Sequence, residues 1–187
     1  MPSLGAFSRQ FDQPRTSSYV YAVIGTIGIS YCLAALWIGM RLVMDVGGNC
    51  ASGNSAYVIQ AQCPDGSALL VAPAVPLGFV FGAIMAFGFA GIAKGAGSLV
   101  LLSWPILFLS LAFNFFQGAF NPPGDSTFDV AWLICGIVFA LMGLLPAPGV
   151  PKLFAEVEPR RGQVVAILVG GAAAGVLLAI WLANAVS

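Results

Sequence analysis

Residues 17–40 read SSYVYAVIGTIGISYCLAALWIGM, an unbroken run without a charged side chain. As an α-helix rising about 1.5 Å per residue, such a run crosses a hydrocarbon core of roughly 30 Å. A secretory signal peptide is the competing reading, but its apolar region is usually about 7–15 residues. No A-x-A cleavage pattern follows promptly either, so the run is expected to stay in the protein as a membrane span.

The rest of the chain agrees with that solvent. Of 187 residues 59% are hydrophobic and 7% charged, with a mean hydropathy of +0.96. Soluble domains carry about 25% charged residues, so these charges cannot cover a water-facing surface. No polar stretch exceeds about 30 residues, which predicts one bundle without a separate soluble domain. Seven basic residues balance seven acidic ones, so nothing points to nucleic acid. Histidine is absent, which removes the commonest general base and metal ligand together. The chain also lacks a phosphate-binding glycine loop, a nucleophile elbow and an HExxH motif. No catalytic residue, metal site or cofactor is assigned.

Four more apolar runs follow the first. The expected spans are 17–40, 74–93, 98–120, 128–146 and 164–186, making an all-α integral membrane bundle of about five helices. Lysine and arginine favour the cytoplasmic side of a membrane. With the amino terminus inside, the inner segments hold Arg9, Arg15, Lys94, Lys152, Arg160 and Arg161, and the outer ones only Arg41. Five spans then put the carboxyl terminus outside. Four would move that end but leave the segment 41–73 outside. The connector containing Phe154, Glu156, Glu158, Arg160 and Arg161 reads as an inner, interfacial segment.

The outer segment 41–73 holds DVGGNCASGNSAYVIQAQCPDG, residues 45–66. Disulfides persist outside the cytoplasm. A Cys50–Cys63 bridge would close a 14-residue loop, worth on the order of 3 kcal/mol by chain entropy. Gly47, Gly48 and Gly53 give backbone freedom at one end, Pro64-Asp65-Gly66 reads as a turn at the other, and AYVIQAQ alternates like a short strand. Gly47, Gly48, Asn49, Tyr57, Gln60, Pro64 and Asp65 are the candidate contact surface of this cap. The plainer reading is a disulfide that only ties down a loop. A redox pair lacks a CxxC motif, and Cys32 and Cys135 in the outer halves of their helices read as packing residues.

Within the spans no charge marks a transport path. Tyr31, Asn114 and Gln117 are the candidate polar lining of a cavity, against interfacial water or helix–helix bonding as the simpler alternatives. Arg41 and Asp45 would share a face if the first helix continued past Met40. Gly171–Gly175, Gly78–Gly82 and Gly91–Gly95 have the GxxxG spacing of close helix packing. Pro73, Pro76 and Pro105 are expected to bend or delimit helices. CPDG before GFVFGAIMAFG faintly echoes PPGD before GIVFALMGLLP, compatible with a two-plus-two repeat.

MRLVMDVGGNC…YVIQAQCPDG…PLGFVFG resembles a set of small actinobacterial integral membrane proteins that share a GGxC…YVI…CPxG outer loop directly after the first helix. The likeness covers roughly residues 35–85. It implies a bacterial envelope protein and no particular activity. The functional expectation is a non-enzymatic accessory or scaffold subunit, in contact with the lipid bilayer and with other membrane subunits or itself. The alternatives are a small oligomeric transporter or channel, and a membrane thiol–disulfide redox protein.

Overall fold

The computed structural model describes residues 15–47, 63–123, 127–155, 157 and 160–186. Most of these residues are helical, and none of them lies in a strand. Helix α1 spans Thr16–Asp45 and α2 spans Ser67–Ile92; a 3-10 segment, Ala96–Leu102, leads into α3, Ser103–Phe120. Helix α4 is Val130–Leu144; a 3-10 turn, Ala147–Gly149, joins it to α5, Val150–Ala155, and α6 is Arg161–Val186. Four helical stretches are long and apolar enough to cross a membrane: α1, α2, the 3-10 segment with α3, and α6.

Helix α1 is the hub. It runs antiparallel to α2, because Ser18 meets Gly91, Ala22 meets Gly88, Gly25 meets Met85 and Gly39 meets Val71. Small residues on both sides let the backbones touch, which is how helices associate where lipid removes the hydrophobic driving force. The same helix runs parallel to α6. Thr26 packs on Gly171, Tyr31 on Gly175, and the Tyr19 hydroxyl donates to Gln163 Oε1 at 2.9 Å. Of the expected GxxxG pairs, Gly171 and Gly175 form a packing face against α1, Gly78 and Gly82 lie in van der Waals reach of Cys32 and Ile29 on the same helix, and Gly95 falls beyond the end of α2.

Helices α3 and α4 form a second antiparallel hairpin. Trp104 Nε1 donates to the Met142 carbonyl at 3.1 Å near one end, and Asp129 N donates to the Ala119 carbonyl at 3.0 Å at the other. Between them Phe108 and Phe115 both stack on Phe139, with centroids 5.9 and 5.2 Å apart. Asp129 caps α4 by accepting from Trp132 N at 3.0 Å. Large apolar side chains face outward around the bundle, Phe79 being 78% and Phe87 76% exposed. A surface this apolar needs a hydrocarbon solvent.

Several boundaries differ from the sequence expectation. Helix α1 runs to Asp45 instead of stopping at 40, and α2 begins at Ser67, not 74, so the segment between them is 46–66 and not 41–73. Pro73 and Pro76 lie inside α2 instead of delimiting it. The first turns of α2 persist because Leu70 and Ala74 are buried in one cluster with Cys32 and Ala35 of α1; packing compensates for the bonds the prolines remove. Pro105 does mark a change. The span 98–120 is 3-10 up to Leu102 and α-helical from Ser103, so Pro105 falls in the first turn of α3, where its missing N–H costs little. The span 128–146 shortens to the 15 residues of α4, ended by Pro146 and Pro148. The echoing stretches 78–88 and 136–146 fall largely in α2 and α4, which run the same way and each pair with the helix before them.

Candidate functional site

The described charges divide between the two ends of the bundle. Arg15, Lys94, Lys152, Arg160 and Arg161 lie at the end where α1 and α6 begin and α2 finishes. Arg41, Asp45, Asp65 and Asp129 lie at the other end. Among the described residues none lies at mid-depth, so charge-based chemistry is confined to the two rims.

The rim where α1 finishes carries the candidate surface. Because α1 continues past Met40, Arg41 and Asp45 come one turn apart and form an ion pair, Nε to Oδ1 at 3.3 Å. The pair is partly exposed and so contributes little to stability. It borders a cavity of about 190 Å³ lined also by Met44, Gly118, Asn121, Pro123 and Trp132. Gly118 makes this junction: a side chain there would strike the Trp132 ring and the Met44 methyl. Sequence reading offered Arg41 and Asp45 but not Trp132 or Asn121, because their approach depends on the α3–α4 turn folding back over α1.

The loop enters and leaves at this rim. Gly47, with φ 95°, turns the chain off α1, and its N–H bonds the Met44 carbonyl at 3.0 Å. On the return, Ser67 N donates to the Pro64 carbonyl at 3.2 Å, with Gly66 at φ 78° and ψ −15°. Those dihedrals belong to the third position of a type II turn, which needs glycine. The expected Pro64-Asp65-Gly66 turn is therefore present. Gly48, Asn49, Cys50, Gly53, Tyr57, Gln60 and the strand-like AYVIQAQ lie outside the described residues. Cys32 and Cys135 are free thiols, the first buried in α1 and the second exposed on α4. Cys63 is not one of the free thiols.

The three candidate lining residues do not converge. Asn114 is fully buried and its Nδ2 donates to the Trp37 carbonyl at 3.3 Å, binding α3 to α1. Its Oδ1 has no partner. Tyr31 instead lies beside α6, where its backbone meets Gly175. Gln117 is half-buried one turn short of Asn121, whose N–H bonds the Gln117 carbonyl at 2.9 Å. Asn114 thus acts as an interhelical bond, one of the alternatives its sequence allowed. Among the described residues no group of histidine, cysteine, aspartate or glutamate side chains could hold a metal ion.

At the opposite rim Tyr19 accepts from Arg160 Nη1 at 3.1 Å while donating to Gln163. This node ties the start of α6 to the start of α1. Val157, fully buried, anchors the connector beside Phe154 against Ala22, Ile92 and Ala96. The connector is thus a short helix, Val150–Ala155, followed by a buried anchor.

Over the described residues these features define a multi-pass, helical membrane protein with charged rims and an uncharged interior. Comparison with protein-family models, curated proteins and solved structures finds no match to this chain.

Proposed function

We propose that the chain is a non-enzymatic accessory or scaffold subunit of a bacterial plasma membrane, spanning it five times. Its amino terminus is cytoplasmic and its carboxyl terminus external, and the disulfide-closed loop Cys50–Cys63 is the outer contact surface. The observation that carries the reading is the glycine-knit core. Backbones of α1, α2 and α6 meet at Gly25, Gly88 and Gly175, which favours a rigid packing unit over a conduit.

The fifth crossing rests on the path of the chain. Helix α3 ends beside Met44, near the end of α1, and α6 begins beside Tyr19, near its start. The chain must therefore return the length of the bundle between them. Helix α4 makes that journey alongside α3, and at about 22 Å it needs only modest thinning of the bilayer or help from the turns beyond it. Positive residues at the Tyr19 rim then set the orientation. Among the described residues Cys32 and Cys135 are free thiols and Cys63 is engaged, which supports the Cys50–Cys63 pairing.

The test is co-purification from native membranes in mild detergent, comparing the natural chain with Tyr57→Ala and Asp65→Asn in the loop. A partner of fixed stoichiometry, lost in the loop variants, is expected. Purification alone, or with partners indifferent to the loop, would sink the scaffold reading.

A further inference from the structure

Helices α3 and α6 flank a groove floored by α1. Thr26 and Ser30 lie on its floor, Ile106 on one wall, and Val165, Val169 and Ala172 on the other, around a cavity of about 300 Å³. Two hydroxyls that could make it polar are engaged elsewhere. Thr26 Oγ1 donates to the Ala22 carbonyl and Ser103 Oγ to the Val100 carbonyl, each at 2.7 Å. What the groove offers an occupant is therefore largely methyl and methylene surface, open sideways to the hydrocarbon.

The mouth of the groove is different. Phe154 of α5 lines it and also lines a second cavity of about 310 Å³, shared with Pro151, Ala155 and Arg161. One side chain thus joins an apolar slot to a cationic pocket. The side chain of Arg161, the first residue of α6, makes no hydrogen bond or ion pair among the described residues, unlike that of its neighbour Arg160, which holds Tyr19. From Arg161 the wall descends through Val165 and Val169 to Ala172, about 16 Å along the helix. Lys152 sits on the same short helix as Phe154. Glu156 and Glu158 lie outside the described residues, and with them the stretch 150–163 still carries one net positive charge, from Lys152, Arg160 and Arg161 against the two glutamates.

We infer that this paired site binds an anionic phospholipid of the adjoining leaflet, its phosphate against Arg161 and one acyl chain in the groove between α3 and α6. An arginine presents a planar fork of donors that matches a phosphate. Basic pockets at the cytoplasmic side of membrane helices are suited to acidic headgroups. A zwitterionic lipid would gain the groove but carry a choline cation toward the arginine, so the site selects by headgroup charge. The inference rests on the membrane reading of the fold and is independent of the scaffold role.

Native mass spectrometry tests it on the full chain in mild detergent with equimolar phosphatidylglycerol and phosphatidylcholine. The natural chain should retain one phosphatidylglycerol in roughly tenfold preference, about 1.4 kcal/mol. Arg161→Gln should abolish the preference and Arg161→Lys largely keep it. Lys94→Gln removes a charge from the same rim outside the pocket and should change nothing. Ala172→Phe, which fills the groove, should reduce retention of both lipids, with circular dichroism confirming that it folds. The inference fails if Arg161→Gln and Lys94→Gln behave alike, since a diffuse surface charge then suffices. It also fails if Ala172→Phe spares the lipid, or if the variant removes a dimer mass instead, which would make a second copy the occupant.

Discussion

Replacing Gly25 by alanine should separate the two central helices. A Cβ built on Gly25 lies 2.7 Å from Met85 Cβ and closer still to the Met85 backbone nitrogen, whereas apolar atoms rest about 3.5–4.0 Å apart. The obstacle is backbone, which no rotamer change can move aside, so α1 and α2 must part by about 1 Å. A gap of that size forfeits roughly a quarter to a half of each contact along the seam. Alanine favours the helix over glycine by about 1 kcal/mol, yet overpacking costs about 1–3 kcal/mol, so the net effect is destabilising. Gly170→Ala is the matched control, because a Cβ there meets nothing within 4 Å. For a chain of this size each kcal/mol corresponds to roughly 2–4 °C. Thermal unfolding in detergent should show Gly25→Ala lowered by up to about 8 °C and Gly170→Ala unchanged or raised. Equal behaviour of the two variants would refute the close-packed seam.

Three further outcomes are expected. Asn114→Leu should shift stability by less than about 1 kcal/mol, since interhelical bonds in membranes average about 0.6 kcal/mol and the change also removes an unpartnered buried oxygen; a chemical or thermal melt with a loss above about 3 kcal/mol would contradict this. Asp129→Ala, by removing the cap of α4, should cost about 0.5–2 kcal/mol, whereas Asp65→Ala, which caps no helix, should be near neutral in the same melt. Finally, thiol labelling of the denatured, unreduced chain should count two reactive cysteines, rising to four after reduction; four before reduction would remove the Cys50–Cys63 bridge.

How much of this was legible beforehand varies from element to element. The run 17–40 announced a membrane helix because hydropathy is a sum over local residues, and the solvent a segment needs follows from that sum alone. Its continuation to Asp45 was not legible, since a charge at Arg41 is enough to end a span on hydropathy, and the last turn is held by the buried Met44 packing at Gly118. Pro73 and Pro76 misled in the same way: a local rule against helix was overruled by burial of Leu70 and Ala74. The glycine spacings were visible, but only the fold shows that Gly171 and Gly175 receive α1 while Gly170 faces open space.

The candidate site shows the same division. Arg41 and Asp45 could be paired from their spacing, because a helix places residues four apart on one face. Trp132 and Asn121 joined them only through the fold of a distant hairpin, and Asn114 found its partner on a helix 77 positions away. By itself the sequence determined the solvent, the approximate spans and the separation of basic from acidic rims, all properties of local composition. The tertiary structure alone decided that α1 is the hub, that α6 runs parallel to it, and that Phe154 links an apolar groove to Arg161. Those depend on which remote surfaces are small enough to touch, and a membrane supplies no hydrophobic force to choose between helices; steric fit makes the choice.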